Sequence, residues 1–206
     1  MNVHKFIVGK NFGIITVNTY IISSKNNSII IDPGDEWNLI KEHIEKMNLK
    51  VNLIICTHCH IDHIKDVKEI SDYFSSPVAI SEYEKDFLEN DELNLSLFFG
   101  IKFKRFSPTQ LLQDNAKIKI GDEYLEIIHT PGHTPGSICI KGDSFIITGD
   151  TLFKNSFGRT DLPGGNYEEL INSIKNKLLK FPDNFIVYPG HEENTTIRSE
   201  RKNFNY

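Results

Sequence analysis

Thr57-His58-Cys59-His60-Ile61-Asp62-His63 is the segment on which the reading of this chain turns. It places three imidazoles and a carboxylate within six positions. In extended backbone, residues i and i+2 project to the same side. His58 and His60 can therefore grip one ion while Cys59 points away. Asp62 and His63 are adjacent and diverge. If the chain turns into a helix at this point, both can face a second ion beside the first. Neutral imidazole and carboxylate are donors suited to Zn, Fe or Mn. Four donors do not complete two coordination spheres, so the others must come from elsewhere in the chain.

The segment follows Leu53-Ile54-Ile55-Cys56, which reads as a buried strand. The same device recurs twice. Phe145-Ile146-Ile147-Thr148 runs into Gly149-Asp150, and Phe185-Ile186-Val187-Tyr188 runs into Pro189-Gly190-His191. A stiff Pro/Gly loop, residues 129–136, adds His129 and His133. Strand ends on a rigid sheet hold ligands in fixed geometry, so Asp150, His133 and His191 are the further candidates.

Working outward, residues 3–8 and 14–22 read as strands joined by a turn at 11–13. A short strand, 28–31, is stopped by Asp32-Pro33-Gly34. Leu39, Ile40, Ile44 and Met47 recur at the three-to-four spacing of a helix over 36–47. Helices are expected at 64–74 and 82–88, around a strand at 78–80. Strands follow at 117–120, 124–128 and 137–140. A helix over 167–181 and a last helix over 195–202 complete the pattern. Alternating strands and helices indicate an α/β protein. With no Gly/Ser- or Pro-rich linker, residues 1–206 read as one domain.

Of 206 residues, 39% are hydrophobic and 25% charged, an ordinary balance for a globular chain. The net charge of −5 makes nucleic acid or an anionic membrane surface a poor partner. No apolar run approaches the ~20 residues of a membrane-spanning helix, and the first residues do not read as a signal peptide. Three cysteines are too few for a disulfide scaffold. The expectation is a cytoplasmic protein, with Cys56, Cys59 and Cys139 as packing residues. The aromatic cluster Leu97-Phe98-Phe99, Phe103 and Phe106 could line a substrate pocket or cover the core, and core is the reading favoured. Arg198, Arg201 and Lys202 read as a solvated helix face.

In order along the chain, Asp32-Pro33-Gly34, His-x-His-x-Asp-His at 58–63, Gly132-His133-Thr134, Gly149-Asp150-Thr151 and Gly190-His191 resemble the metallo-β-lactamase-fold hydrolases over essentially the whole sequence. The resemblance implies a four-layer αββα sandwich with the site at one edge. It implies that His58, His60 and His133 bind one metal, that Asp62, His63 and His191 bind a second, and that Asp150 bridges them. Residues 148–153 and 157–165 look like the glyoxalase II-like branch, which hydrolyses thioesters such as hydroxyacylglutathiones. Arg159 falls where that branch has a basic substrate-binding residue, and a guanidinium can hold a carboxylate bidentately. The chain departs from the pattern at Asp66, where many members have Gly, and at Glu192 and Glu193, where glyoxalase II has an aromatic residue. Fifteen residues follow His191, so no separate C-terminal substrate-binding domain is expected.

Two divalent ions, expected to be zinc with iron or manganese as alternatives, would share Asp150 and hold a bridging water. Their charge lowers its pKa toward neutrality, giving a hydroxide able to attack a carbonyl. Asp62 and Asp150 are the catalytic candidates. Asp32 and His129 are candidates to orient the ligands from behind. A thiolate leaving group, with a pKa near 8.5, needs little help from an acid, so a small-molecule thioester is the expected substrate. Open alternatives are a mononuclear iron persulfide dioxygenase, a phosphodiesterase of the same fold, and a non-catalytic metal-binding protein. Oligomeric state is open.

Overall fold

The inward and outward faces of each strand are set by period-two side-chain alternation, and here both faces are apolar. Along Val17–Ser24 (β2), Asn27–Ile31 (β3), Lys50–Ile55 (β4) and Val78–Ser81 (β5), Ile21, Ile30, Ile54 and Ile80 point one way. Tyr20, Ile22, Ile29, Ile31, Leu53 and Ile55 point the other. A strand apolar on both faces must be covered on both sides. The computed structural model describes residues 1–9 and 16–204 and meets that demand with four layers. The turn expected at 11–13 lies outside the described residues.

One six-stranded sheet runs in the order β1-β2-β3-β4-β5-β6, with Asn2–Val8 as β1 and Gln110–Leu112 as β6. Its β1, β2 and β3 pair antiparallel and its β3 to β6 parallel. The other is built from Lys117–Ile120 (β7), Glu123–His129 (β8), Ile138–Lys141 (β9), Phe145–Gly149 (β10), Ile186–Pro189 (β13) and Thr195–Thr196 (β14), ordered β14-β13-β10-β9-β8-β7. Leu152–Phe153 (β11) and Ser156–Phe157 (β12) form a separate ribbon. Ile118, Ile120, Leu125, Ile127, Ile138, Ile140 and Ile147 meet the first sheet in a shared core.

Outside the first sheet lie Trp37–Lys46 (α1), Ile61–Ile64 (α2) and Val67–Phe74 (α3), which bury Ile40, Ile44, Ile61, Ile64, Val67 and Ile70. Two short helices, Lys85–Glu89 (α4) and Ser96–Phe99 (α5), follow. Outside the second sheet, Tyr167–Asn176 (α6) buries Leu170 and Ile174 against Ile128, Ile146 and Val187. Ile197–Asn203 (α7) closes that layer. No helix among the described residues is long and apolar enough to cross a membrane.

Several expected boundaries move. The helix read over 64–74 is two pieces, interrupted at Lys65 and Asp66. That carboxylate accepts from Trp37 N at 2.9 Å and thereby links α3 to the start of α1. The helix read over 82–88 opens as a 3-10 turn, Glu82–Glu84. The helix read over 167–181 is capped by the Asn166 side chain, which accepts from Glu169 N. It ends at Asn176 and gives way to a 3-10 turn, Leu178–Lys180. Arg201 is not simply solvated: its guanidinium donates to the Leu179 and Phe181 carbonyls and pairs with Asp183. It therefore satisfies carbonyls that the 3-10 turn leaves without helical partners.

Candidate metal centre

The ligand segment leaves β4 as extended chain and turns into α2 at Ile61. His60, at the helix N-cap, has β-region backbone (φ −71°, ψ 147°). The change of geometry between positions 60 and 61 lets His58 and His60 share one direction and lets Asp62 and His63 share another. Cys59 projects into the core beneath the first sheet and is fully buried there. Cys56 and Cys139 are likewise buried, free thiols.

Three groups of donor atoms result, each within 4.8 Å: His58, His60 and His133; His58, His63 and Asp150; and Asp62, His63 and His191. His133 comes from the loop after β8, Asp150 from the end of β10 and His191 from the end of β13. In the third group, His63 Nε2 and His191 Nε2 are 3.3 Å apart, and they lie 3.5 and 3.4 Å from Asp62 Oδ2. For donors about 2.0–2.1 Å from a tetrahedral ion, the edge of the tetrahedron is about 3.3 Å. These three atoms are therefore spaced as one face of such a site. Asp150 reaches both sides, with Oδ1 at 3.4 Å from His63 Nε2 and Oδ2 at 3.6 Å from His133 Nε2 and 3.3 Å from His191 Nε2.

Tautomers decide whether these nitrogens can be ligands. His191 Nδ1 lies 2.6 Å from the Thr16 carbonyl, and His133 Nδ1 lies 2.8 Å from the Arg159 carbonyl. A carbonyl only accepts, so each Nδ1 carries a proton, and Nε2 is the nitrogen left to bind a metal once the ring is neutral. Asp32 Oδ2 stands 2.9 Å from His63 Nδ1 and also accepts the Thr57 hydroxyl at 2.6 Å. That hydroxyl, its hydrogen spent on Asp32, is left to accept from His58 Nδ1 at 3.2 Å. Facing lone pairs repel unless a cation lies between them. Nε2 of His58 and Oδ1 of Asp150 are buried with no hydrogen-bond partner, and His60 turns its Nδ1 to His133 Nε2 at 3.0 Å. Buried polar atoms without partners are costly, and a metal ion fits what these lack.

The electrostatics agree. Burial opposes a charge on His63, yet Asp62, Asp150 and Asp32 outweigh it and lift the imidazole to about 10. Burial likewise opposes His191, and Asp150 and Asp62 lift it to about 12. Asp62 is held down to about 2 against its own burial by His63 and His191. Across the site, burial and then His133 push His60 down to about 3. One side thus holds neutral imidazoles and the other a surplus of carboxylate, which is a field that stabilises cations.

The framework behind the ligands is equally specific. Asp32 (φ 48°) also accepts from Thr57 N at 2.7 Å, so one carboxylate ties β3's end to the ligand segment. Glycine is needed at Gly190, where a Cβ would come 2.3 Å from Asp150 Oδ1 and 2.9 Å from His63 Cε1. Two residues that the sequence reading missed do comparable work. Glu84, wholly buried, accepts from Cys59 N at 2.8 Å, Thr134 Oγ1 at 2.6 Å and Gly136 N at 2.9 Å. It clamps the loops of His58/His60 and His133 together. Asn18 Nδ2 donates to the carbonyls of Pro189 and Glu192, on either side of His191. His129 sits one step further out: its Nε2 lies 2.8 Å from the Pro135 carbonyl and its ring stacks on Tyr83, so it braces the loop and not a ligand imidazole.

A match to the metallo-beta-lactamase superfamily extends over residues 13–191. The chain belongs to that superfamily. It is 36% identical over 192 residues to the probable metallo-hydrolase YqgX of Bacillus subtilis, covering 92% of this chain and 91% of that protein. It is 35% identical over 186 residues to the hydroxyacylglutathione hydrolase GloC of Haemophilus influenzae, covering 88% of each. Among solved structures, the BLEG-1 B3 metallo-beta-lactamase superposes with a TM-score of 0.91 at 33% identity, covering 98% of this chain and 97% of that one.

In this metallo-beta-lactamase superfamily member, a cavity of about 750 Å³ opens above the donor cluster, with His60, Asp62, His133, Asp150 and His191 at its floor. Leu97 (64% exposed), Phe98 (81% exposed) and Phe99 form part of its wall. The reading as core is therefore corrected for Leu97 and Phe98, while Phe99 both lines the cavity and packs against the core. They sit on a four-residue helix whose ends, Leu95 and Gly100, both have positive φ. A turn that short has no room for a buried stripe, and its side chains face the cavity. Phe106 is buried and Phe103 packs against the core, as expected. Arg159 lines the cavity, but its guanidinium forms a two-point pair with Asp161, at 2.9 and 2.8 Å.

Proposed function

We propose that this metallo-hydrolase is a thioesterase of glyoxalase II-like type, acting on a small-molecule thioester in the cytoplasm. In this reading His58, His60 and His133 hold one divalent ion, Asp62, His63 and His191 hold a second, and Asp150 spans both. The observation that carries it is the convergence of seven donors, five of them on the floor of one cavity and some with unpartnered buried atoms. The likeness to GloC supports the thioester as substrate. Zinc suits the tetrahedral spacing, and iron or manganese suits the same donors.

When bound, such ions supply a water of near-neutral pKa and polarise a carbonyl. The chain's own residues do the rest. Asp62, ionised and 13% exposed in its side chain, faces the cavity and can orient the attacking oxygen. Asp32, Thr57 and the carbonyls of Arg159 and Thr16 keep the imidazoles in their ligand tautomers. Water's oxygen adds to the carbonyl carbon and the C–S bond breaks, giving a carboxylate and a thiolate. Three buried free cysteines are compatible with a reducing compartment.

Metal analysis of the purified protein together with an assay on S-lactoylglutathione and other thioesters tests the reading. About two metals per chain with thioester hydrolysis is the expected result. One iron with oxygen uptake on glutathione persulfide overturns it. The likeness to BLEG-1 favours β-lactam hydrolysis as a second reading. A chromogenic cephalosporin in the same assay separates the two.

A further inference from the structure

Glutathione thioesters bring two carboxylates and one ammonium to the mouth of a site. Among the described residues, the charged side chains at this mouth are Glu92, Glu192 and Arg159. Arg159 is already neutralised by Asp161, which that pairing holds down to about 2. An incoming carboxylate would have to displace Asp161 and approach two exposed glutamates of like charge, an arrangement that selects against anions. The wall is different in kind. Leu95, Leu97, Phe98, Phe99, Phe157 and Leu162 present an apolar surface, and Leu97 and Phe98 are among the most exposed large apolar side chains described. Apolar area held open beside a polar floor is the usual make-up of a site for an amphipathic small molecule. The wall is also tied to the chemistry: Ile61 N, at the turn that separates the two ligand pairs, donates to the Asn94 carbonyl at 2.8 Å. The Asn94 side chain in turn caps Ser96 N at the start of α5.

We infer that the cavity takes thioesters with a hydrophobic acyl group and a thiol portion carrying no net negative charge, in preference to glutathione thioesters. This rests on the thioesterase reading for the reaction, but the preference itself can be read without turnover. Each methylene laid against the wall is worth about fourfold in affinity.

The test uses non-hydrolysable thioethers on the purified, metal-loaded protein, followed by calorimetry: S-octyl-N-acetylcysteamine, S-ethyl-N-acetylcysteamine and S-octylglutathione. The octyl compound should bind at least about tenfold tighter than the ethyl compound, and S-octylglutathione about fivefold or more weaker than its N-acetylcysteamine counterpart. Glu92→Lys should narrow the second gap, and Phe98→Ala should narrow the first. Hydrolysis of octanoyl-N-acetylcysteamine should likewise exceed that of lactoyl- and octanoylglutathione in kcat/KM. Equal or tighter binding of S-octylglutathione, or no dependence on chain length, overturns the inference. If the binding order holds and no thioester is hydrolysed, the thioesterase reading fails and the ligand preference stands.

Discussion

The floor and the mouth of the cavity are built on opposite plans. At the floor, ligand after ligand is backed by a fixed acceptor: His63 by Asp32, His133 by the Arg159 carbonyl, His191 by the Thr16 carbonyl. His58, His60 and His63 are nearly inaccessible, and Gly190 leaves no room for a Cβ. At the mouth, Leu97 and Phe98 stand out in solvent on a single turn, and the Arg159 guanidinium is held by the exposed Asp161 carboxylate. The floor fixes a reaction by preorganised donors. The mouth, with little holding each side chain, can change its ligand preference without disturbing the donor cluster.

That contrast is broken most directly at the floor. His58→Ala and Asp150→Ala should each remove bound metal and lower kcat/KM by at least about 10³-fold, read by elemental analysis beside the thioester assay. Wild-type turnover in a metal-free variant would break the reading. Asp32→Asn keeps the shape but loses the anionic acceptor behind His63 and should weaken metal affinity by about 10- to 100-fold, measured by competition with a chelator. Metal binding should also release protons. His63 and His191, lifted to about 10 and about 12 in the metal-free protein, are protonated at pH 7.5, and a ligand imidazole must be neutral. Calorimetry in buffers of different ionisation enthalpy should show net release, and affinity should rise with pH.

Glu84 sharpens the comparison from inside the framework. Burial raises it from 4.5 to about 7, against the three hydrogen bonds it accepts. A group whose folded pKa is raised stabilises fully below its unfolded pKa and loses that contribution as pH climbs through the folded one. Metal-free wild type should therefore lose stability relative to Glu84→Gln between pH 5 and pH 8, in urea midpoints. Glutamine also puts a donor opposite one of the three that Glu84 receives, so metal affinity should fall, by less than in Asp32→Asn. The smallest effects belong to the mouth. Phe98→Ala and Arg159→Gln should keep metal content and kcat while shifting KM by about two- to tenfold. A loss of metal in either would erase the distinction between floor and mouth.

The seven donors were legible because each sits in a dense motif or at an abrupt strand end, both of which are local patterns. The α/β class was legible because short apolar strands such as 53–56 alternate with helical spacing such as that of 36–47, while the four layers came with the family resemblance. Glu84 was not legible: a lone glutamate in a charged helical stretch looks solvated until the chain brings Cys59 and Thr134 around it. Nor could the choice between core and pocket wall be made for Leu97 and Phe98, because apolar residues fit either until the turn that carries them is known to be too short to bury them. Strand β6 escaped for the same reason, since three residues carry no periodicity.

By itself, then, the sequence determined which side chains can bind metal and the strand–loop rhythm that carries them, since both depend on near-neighbour spacing. Tertiary structure alone decided which donors meet, which nitrogen of each imidazole is free, and what faces the cavity mouth. His63 and His191 are 128 positions apart and 3.3 Å apart in space. That approach depends on two sheets packing through a shared core, and no local pattern encodes it.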